Sequence, residues 1–259
     1  MSAPALSPIT LEVVRNGLYA IAEEMSVIVM RSARSPLLKE AGDLSSALTD
    51  AQGRLIAQGR DIPIHMGVMG FTVKEFLKRI SADTLREGDV WFLNLPEVGG
   101  NHLPDVKAVR PVFFGGRLVA FAINLAHWAD IGGAVPGSYV PWATECYQEG
   151  LRIAPIRLFS SAGPERPALD FVLANLRGRD EREGDIFAQF AANDVAAPST
   201  RSSRATARRR SSPASTGCTT SPKSRCARRC APCPMARGKA RTFSTMTGSR
   251  TGASGSRCA

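Results

Sequence analysis

The chain has 259 residues, 33 Lys+Arg against 23 Asp+Glu, and 44% apolar residues. That length is enough for one large or two small domains with a real core, and no apolar run approaches the roughly 18–20 residues of a membrane span. The basic excess is uneven: Asp194 is the last acidic residue, 14 Lys+Arg follow it, and the body before it carries a net charge of −4. The cysteines divide the same way, with Cys146 in the body and Cys218, Cys226, Cys230, Cys233 and Cys258 in the tail. One cysteine in a mildly acidic body excludes a disulfide framework there and fits a reducing cytoplasm. Met1-Ser2-Ala3-Pro4 lacks the basic and apolar regions of a secretory signal.

In chain order, the first expected element is an amphipathic helix over 10–33. Val14, Leu18, Ile21, Met25 and Ile28 recur at steps of three and four, and Thr10 is the expected N-cap. Residues 44–58 form a hairpin turning over Asp50-Ala51-Gln52-Gly53. A second amphipathic helix fits 70–81 on Phe71, Val73, Phe76, Leu77 and Ile80. Val90-Trp91-Phe92-Leu93 is a short buried strand. Val106 to Phe114 and Arg117 to Asn124 are β-rich runs around a two-residue Gly115-Gly116 turn. Pro111 marks the first run as an edge strand or a bulged one. A Gly/Pro-rich loop (Gly132 to Pro141), a strand near Ile153 to Leu158 and a helix over Glu183 to Ala192 follow. Without a regular βαβ alternation, the expected class is α+β, with mixed or antiparallel sheets, hairpins and packed amphipathic helices, followed by a disordered tail.

Two of the three histidines sit at the ends of the central hairpin. His102 and Asp105 stand three apart in the constrained segment Gly99-Gly100-Asn101-His102-Leu103-Pro104-Asp105, and His127 follows the return strand. If Gly115-Gly116 is the whole loop, opposed residue numbers sum to 231. Asp105 then faces Ala126, and Pro104 faces His127. Opposed positions lie about 4.5–5.5 Å apart, so His102, Asp105 and His127 converge at the open end. Two imidazoles and a carboxylate suit Mn, Zn or Fe, and the competing reading is a set of satisfied polar residues at a loop junction. His65, in Ile62-Pro63-Ile64-His65-Met66-Gly67, and Asp130, in Ala126-His127-Trp128-Ala129-Asp130, are further catalytic candidates; a buried, backbone-bonded role is the alternative for His65. The glycine pairs 99–100 and 132–133 lack any nucleotide-binding pattern, so turn geometry accounts for them.

These stretches, with Pro8-Ile9-Thr10-Leu11-Glu12-Val13-Val14-Arg15, Ser35-Pro36-Leu37-Leu38-Lys39-Glu40 and Glu149-Gly150-Leu151-Arg152-Ile153, resemble the hydantoinase B/oxoprolinase family in order across 8–197. That family also contains subunits of acetone and acetophenone carboxylases. The resemblance implies a subunit of an ATP-dependent enzyme acting on a cyclic amide. ATP would sit on a hydantoinase A-type partner, and a divalent transition metal on His102, Asp105 and His127. A carboxylase-type subunit is the alternative, toward which Trp128 leans because many members carry a histidine there. Leu95, where members often have an aspartate, is a departure. A non-catalytic scaffold subunit would instead carry no metal.

The family continues well beyond residue 197, whereas 198–259 here is Arg, Ser, Thr, Ala, Pro and Cys with few large apolar residues. Taken literally it is a polycation, which would make the chain a basic-tailed nucleic-acid-binding protein. The lack of interleaved aromatics argues against nucleic acid as a partner, and nothing points to a membrane. A shifted reading frame explains the tail better. Taking the last base of each codon with the first two of the next, Met235-Ala236 forces glycine and Met246-Thr247 forces aspartate. With suitable degenerate bases, 234–248 permits an acidic, turn-containing segment. The expected organisation is therefore a hydantoinase B-type N-terminal part over 1–197 and an out-of-frame basic tail over 198–259.

Overall fold

The computed structural model describes residues 7–197; the tail, and the expectation of disorder made for it, lie outside the described residues. Seven strands form one sheet in the order β2-β1-β5-β4-β3-β6-β7, from β1 (Leu44–Asp50), β2 (Leu55–Gln58), β3 (Val90–Leu93), β4 (Asp105–Phe114), β5 (Arg117–His127), β6 (Ile156–Ser160) and β7 (Gly163–Pro164). Every pairing is antiparallel. The expected α+β class is correct, with a single sheet rather than several. Among the described residues, no helix is long and apolar enough to cross a membrane.

Both faces of the sheet are covered, and the alternation along β4 and β5 shows which residues go where. Val106, Ala108, Ala122 and Ala126 share a core with Met25 and Val29 of α1 (Pro8–Ser32) and Ile186, Ala188 and Ala192 of α6 (Arg179–Val195). Their odd-numbered neighbours Val109, Phe121, Ile123 and Leu125 join Met69, Val73 and Phe76 of α3 (Val68–Arg79) in a second core. The short helices α2 (Pro36–Lys39) and α4 (Cys146–Glu149) and helix α5 (Arg166–Ala174) complete the order. None of these three has a hydrophobic period long enough to mark it in the sequence.

Helix α1 is capped by Ser7, whose side chain accepts from the Thr10 amide, with Pro8 opening the first turn; Thr10 is not the cap. Its buried stripe is Ala22, Met25, Ser26 and Val29, flanked by the half-buried Leu18, Ile21 and Ile28. Val14, expected on that stripe, is exposed together with Ile9, Leu11 and Val13. A sequence period continues whether or not an element lies opposite it. On α3, Phe71 is likewise exposed rather than buried.

Gly115 and Gly116 make the tight turn, both with positive φ (56° and 76°), as the strand twist of a two-residue hairpin requires. Next to it, β5 carries a bulge: Phe113 pairs with Leu118, but Val112 pairs with Ala120, leaving Val119 over. From there the opposed numbers sum to 232 instead of 231. Asp105 therefore faces His127 directly, not Ala126, and the expected register is corrected by one residue. β4 is central, not an edge strand. Pro111 is tolerated because β3 pairs only as far as Val109, so no second neighbour needs its missing N–H.

Candidate metal centre

The register and the alternation together build the site. Ser45 of β1 pairs with Leu125, Asp105 of β4 pairs with His127, and Lys107 pairs with Leu125. Directly opposed residues point to one face, so Ser45, Asp105, Lys107 and His127 gather at one end of the sheet on the α3 side. His102 joins them through a tight turn in which the Asp105 amide donates to the His102 carbonyl (3.1 Å). The buried Leu103 pins that turn into the core. Asn94 secures the same loop: its amide donates to Leu103 and Leu151 carbonyls, and its oxygen accepts from the Ile153 amide.

His102 Nε2 lies 3.3 Å from Asp105 Oδ1, and His127 Nδ1 lies 3.2 Å from the same oxygen. One donor atom from each of the three falls within 4.8 Å of the others. The imidazoles are 47% and 22% exposed while the carboxylate is 2% exposed, so small molecules reach the histidines and not Asp105. Burial alone would raise the Asp105 pKa, but the hydrogen bonds from His102 and His127 hold it well below the usual carboxylate range. The same bond from Asp105 raises the pKa of His102.

Three more side chains complete the surroundings. Asp43, just ahead of β1, places Oδ2 3.7 Å from His127 Nδ1 and is partly exposed. Its backbone carbonyl accepts from the His127 amide, which locks the two together. Lys107 is fully buried and donates to the Asp105 carbonyl (3.1 Å); burial lowers its pKa to about 8, with Asp105 opposing. His65, in a short 3-10 turn (Pro63–His65), is 2% exposed. Its Nδ1 is 2.9 Å from Ser45 Oγ and its Nε2 is 3.9 Å from Asp105 Oδ2. Burial lowers the His65 pKa, with Asp105 and Asp43 opposing.

Asp130 does not join this group. Its oxygens accept from the Gly132 and Gly137 amides and from the Arg177 guanidinium, organising the loop that follows β5. Gly99, Gly132 and Gly133 all have positive φ, consistent with turn geometry. Trp128 is fully buried, and its indole donates to Gln189; it points into the α6 core, so its identity bears on packing rather than on the chemistry of the site. Leu95 is likewise in the core. Asp43 and Lys107 were missed in the sequence. A single aspartate before a strand carries no motif, and a lysine within a β-run reads as solvent-facing.

Residues 7–205 match the Hydantoinase B/oxoprolinase family model, and the chain belongs to that family. It is 38% identical over 190 residues to caprolactamase subunit beta from Pseudomonas jessenii, covering 73% of this chain and 32% of that one. It is 35% identical over 188 residues to 5-oxoprolinase from Dictyostelium discoideum, with 73% and 15% covered. The solved structure of ATP-dependent caprolactamase from Pseudomonas jessenii superposes with a TM-score of 0.70 at 36% identity, over 78% of this chain and 36% of that one. The nucleotide-free acetone carboxylase structure shares the fold, with a TM-score of 0.69 at 21% identity, over 73% and 25%. The chain thus spans about a third of the caprolactamase subunit that it matches.

Proposed function

We propose that the chain is the N-terminal part of a metal-binding, amide-handling subunit in a cytoplasmic, ATP-dependent cyclic-amide hydrolase. The observation that carries this is the convergence of His102, Asp105 and His127 within one ion's reach in a member of this family. The donor set fits a divalent transition ion such as Mn, Zn or Fe: two imidazole nitrogens, one anionic oxygen, and an exposed side left for a small molecule. When bound, such an ion polarises a carbonyl or activates a water. The chain's own part is to hold His102 Nε2, His127 Nδ1 and Asp105 Oδ1 in place, with Asp43 offering a further carboxylate on the open side. Asp130 acts on the neighbouring loop.

ATP is used on a hydantoinase A-type partner subunit, and the activated amide is then passed to this site. The caprolactamase relative is ATP-dependent and is named as one subunit of its enzyme. The test is ring opening of cyclic amides by the full-length subunit with its ATP-binding partner. ATP-dependent hydrolysis lost in His102→Ala is the expected result. Bicarbonate-dependent carboxylation with no amide hydrolysis would assign the chain to the carboxylase branch instead.

Residues 198–259 form an out-of-frame extension in this reading. The charge and composition change at the point where the body ends, and the matched stretch covers only 32% of the caprolactamase subunit. Sequencing the coding DNA tests it: the neighbouring frame should carry an acidic continuation, and an early stop there would refute the idea.

A further inference from the structure

Asp105 presents its two oxygens to different surroundings. Oδ1 is shared by His102 Nε2 and His127 Nδ1, on the side open to solvent. Oδ2 is turned inward, and the imidazole on that side is His65, with Nε2 at 3.9 Å. His65 is buried and cannot meet a substrate. Its other nitrogen is fixed by Ser45, itself fully buried on β1. A metal-bound carboxylate is commonly held through its free oxygen by a neighbouring donor, which sets the angle of the ligating one.

We propose that His65 is a positioning residue. Resting on the metal-site reading above, it steadies Asp105 from beneath through Oδ2 and so directs Oδ1 to the ion. The tautomer follows from the two partners. A buried carboxylate at Nε2 requires N–H there, because a lone pair facing an anion in a dry site is repulsive. Nδ1 is then the acceptor, and the Ser45 hydroxyl donates to it. Ser45, His65 and Asp105 thus form one directed row ending at the metal ligand. At 3.9 Å the last contact is electrostatic orientation rather than a hydrogen bond. This accounts for a histidine at a depth where its polarity would otherwise be costly, and it gives His65 a role without contact to substrate.

The test is titration of the purified 259-residue chain with Co(II) and Zn(II), with calorimetry for affinity and the visible absorption of Co(II) for geometry. His65→Leu should weaken binding by about 10–100-fold, the range seen when a ligand's outer partner is removed, and should alter the Co(II) bands. His65→Gln, whose amide N–H can occupy the Nε2 position, should recover most of the affinity. Ser45→Ala keeps the volume of a buried strand residue and frees the tautomer, so it should weaken binding in the same direction by less. It serves if the leucine variant does not fold. Wild-type chain that binds neither ion would overturn the metal reading itself. Binding in wild type with unchanged affinity and spectra in His65→Leu, or in Ser45→Ala where the leucine variant does not fold, would overturn the role of His65 alone.

Discussion

Asp105 and His127 stand directly opposite one another because β5 holds one more residue than β4 between the turn and the site. Counted from Gly115-Gly116 without that residue, Asp105 would face Ala126, and His127 would point to the α6 side of the sheet. Val119, left over in the bulge, advances the register by one and brings both side chains to the same face. The site is thus set by a surface residue far from it along the strand.

Deleting Val119 should consequently damage the fold and the site together. With the turn kept, every residue of β5 beyond it would change face, driving Phe121, Ile123 and Leu125 into the α1/α6 core where Ala122 and Ala126 now sit and leaving alanines to fill the α3 core. Overpacking a core costs about 1–3 kcal/mol per site and large-to-small truncation about 2–5 kcal/mol, so the hairpin cannot absorb the slip. The expected outcome is loss of cooperative thermal unfolding and of bound metal. A deletion variant with normal unfolding and full metal content would show that the bulge does not set the register.

Much of this was legible because hairpin logic is local. Gly115-Gly116 fixed the turn, and both β-runs were found, so His102, Asp105 and His127 could be brought together without a structure. The bulge was not legible at its position: Pro111 hinted at one, yet the extra residue is Val119 on the facing strand, where an exposed valine looks like any other. The α1 period was also visible, but which of its turns would find a partner depends on α6 and the sheet, far away in sequence. His65, Ser45 and Asp43 reach the site only through sheet order and the placement of the turn before α3, which no spacing along the chain reveals.

The three proposed ligands should fail individually. His102→Ala, Asp105→Ala and His127→Ala each remove one of the three converging donors, which the partly exposed Asp43 does not replace, and elemental analysis should find the variants nearly metal-free. Asp105→Asn should do likewise despite its near-identical shape, because the anionic oxygen is lost. Full metal content in His102→Ala and Asp105→Ala would disprove the site. Acid should compete with the metal as well. Asp105 raises the pKa of His102 in the ion-free protein, so affinity should begin to fall above the ordinary imidazole value as pH is lowered.

Gln189 tests what seats α6 on the sheet. It is fully buried, accepts from the Trp128 indole (2.9 Å), and donates to the Val106 carbonyl and the Asn124 side chain (both 3.0 Å). Gln189→Leu preserves volume but orphans the indole N–H and the Asn124 oxygen. At about 1–3 kcal/mol for each unsatisfied buried group, the loss from the two should be about 2–6 kcal/mol. Urea unfolding followed by tryptophan fluorescence would measure it. A change below about 0.5 kcal/mol would mean that the network contributes little to seating α6.

Lys107 gives the ion-free protein a distinctive alkaline response. It is buried beside Asp105, and burial lowers its pKa from the ordinary 10.5 to about 8. The unfolded chain therefore holds this proton more tightly than the folded one. The cost is fully present below about pH 8, where both states are protonated and the folded state must bury an ammonium. It is relieved as pH rises from about 8 towards 10.5, where the folded state has released the proton and the unfolded state still holds it. This contribution to stability should thus increase across that window, opposite in sign to the usual alkaline loss. Lys107→Met keeps the length of the side chain and has no proton to release, so it should flatten the response. Denaturant unfolding at pH 7.5 and pH 9.5, in wild type and variant with chelator present, isolates the effect as the difference between the two slopes. Equal slopes would mean that Lys107 keeps an ordinary pKa and that the ammonium is better solvated or better paired than its burial indicates.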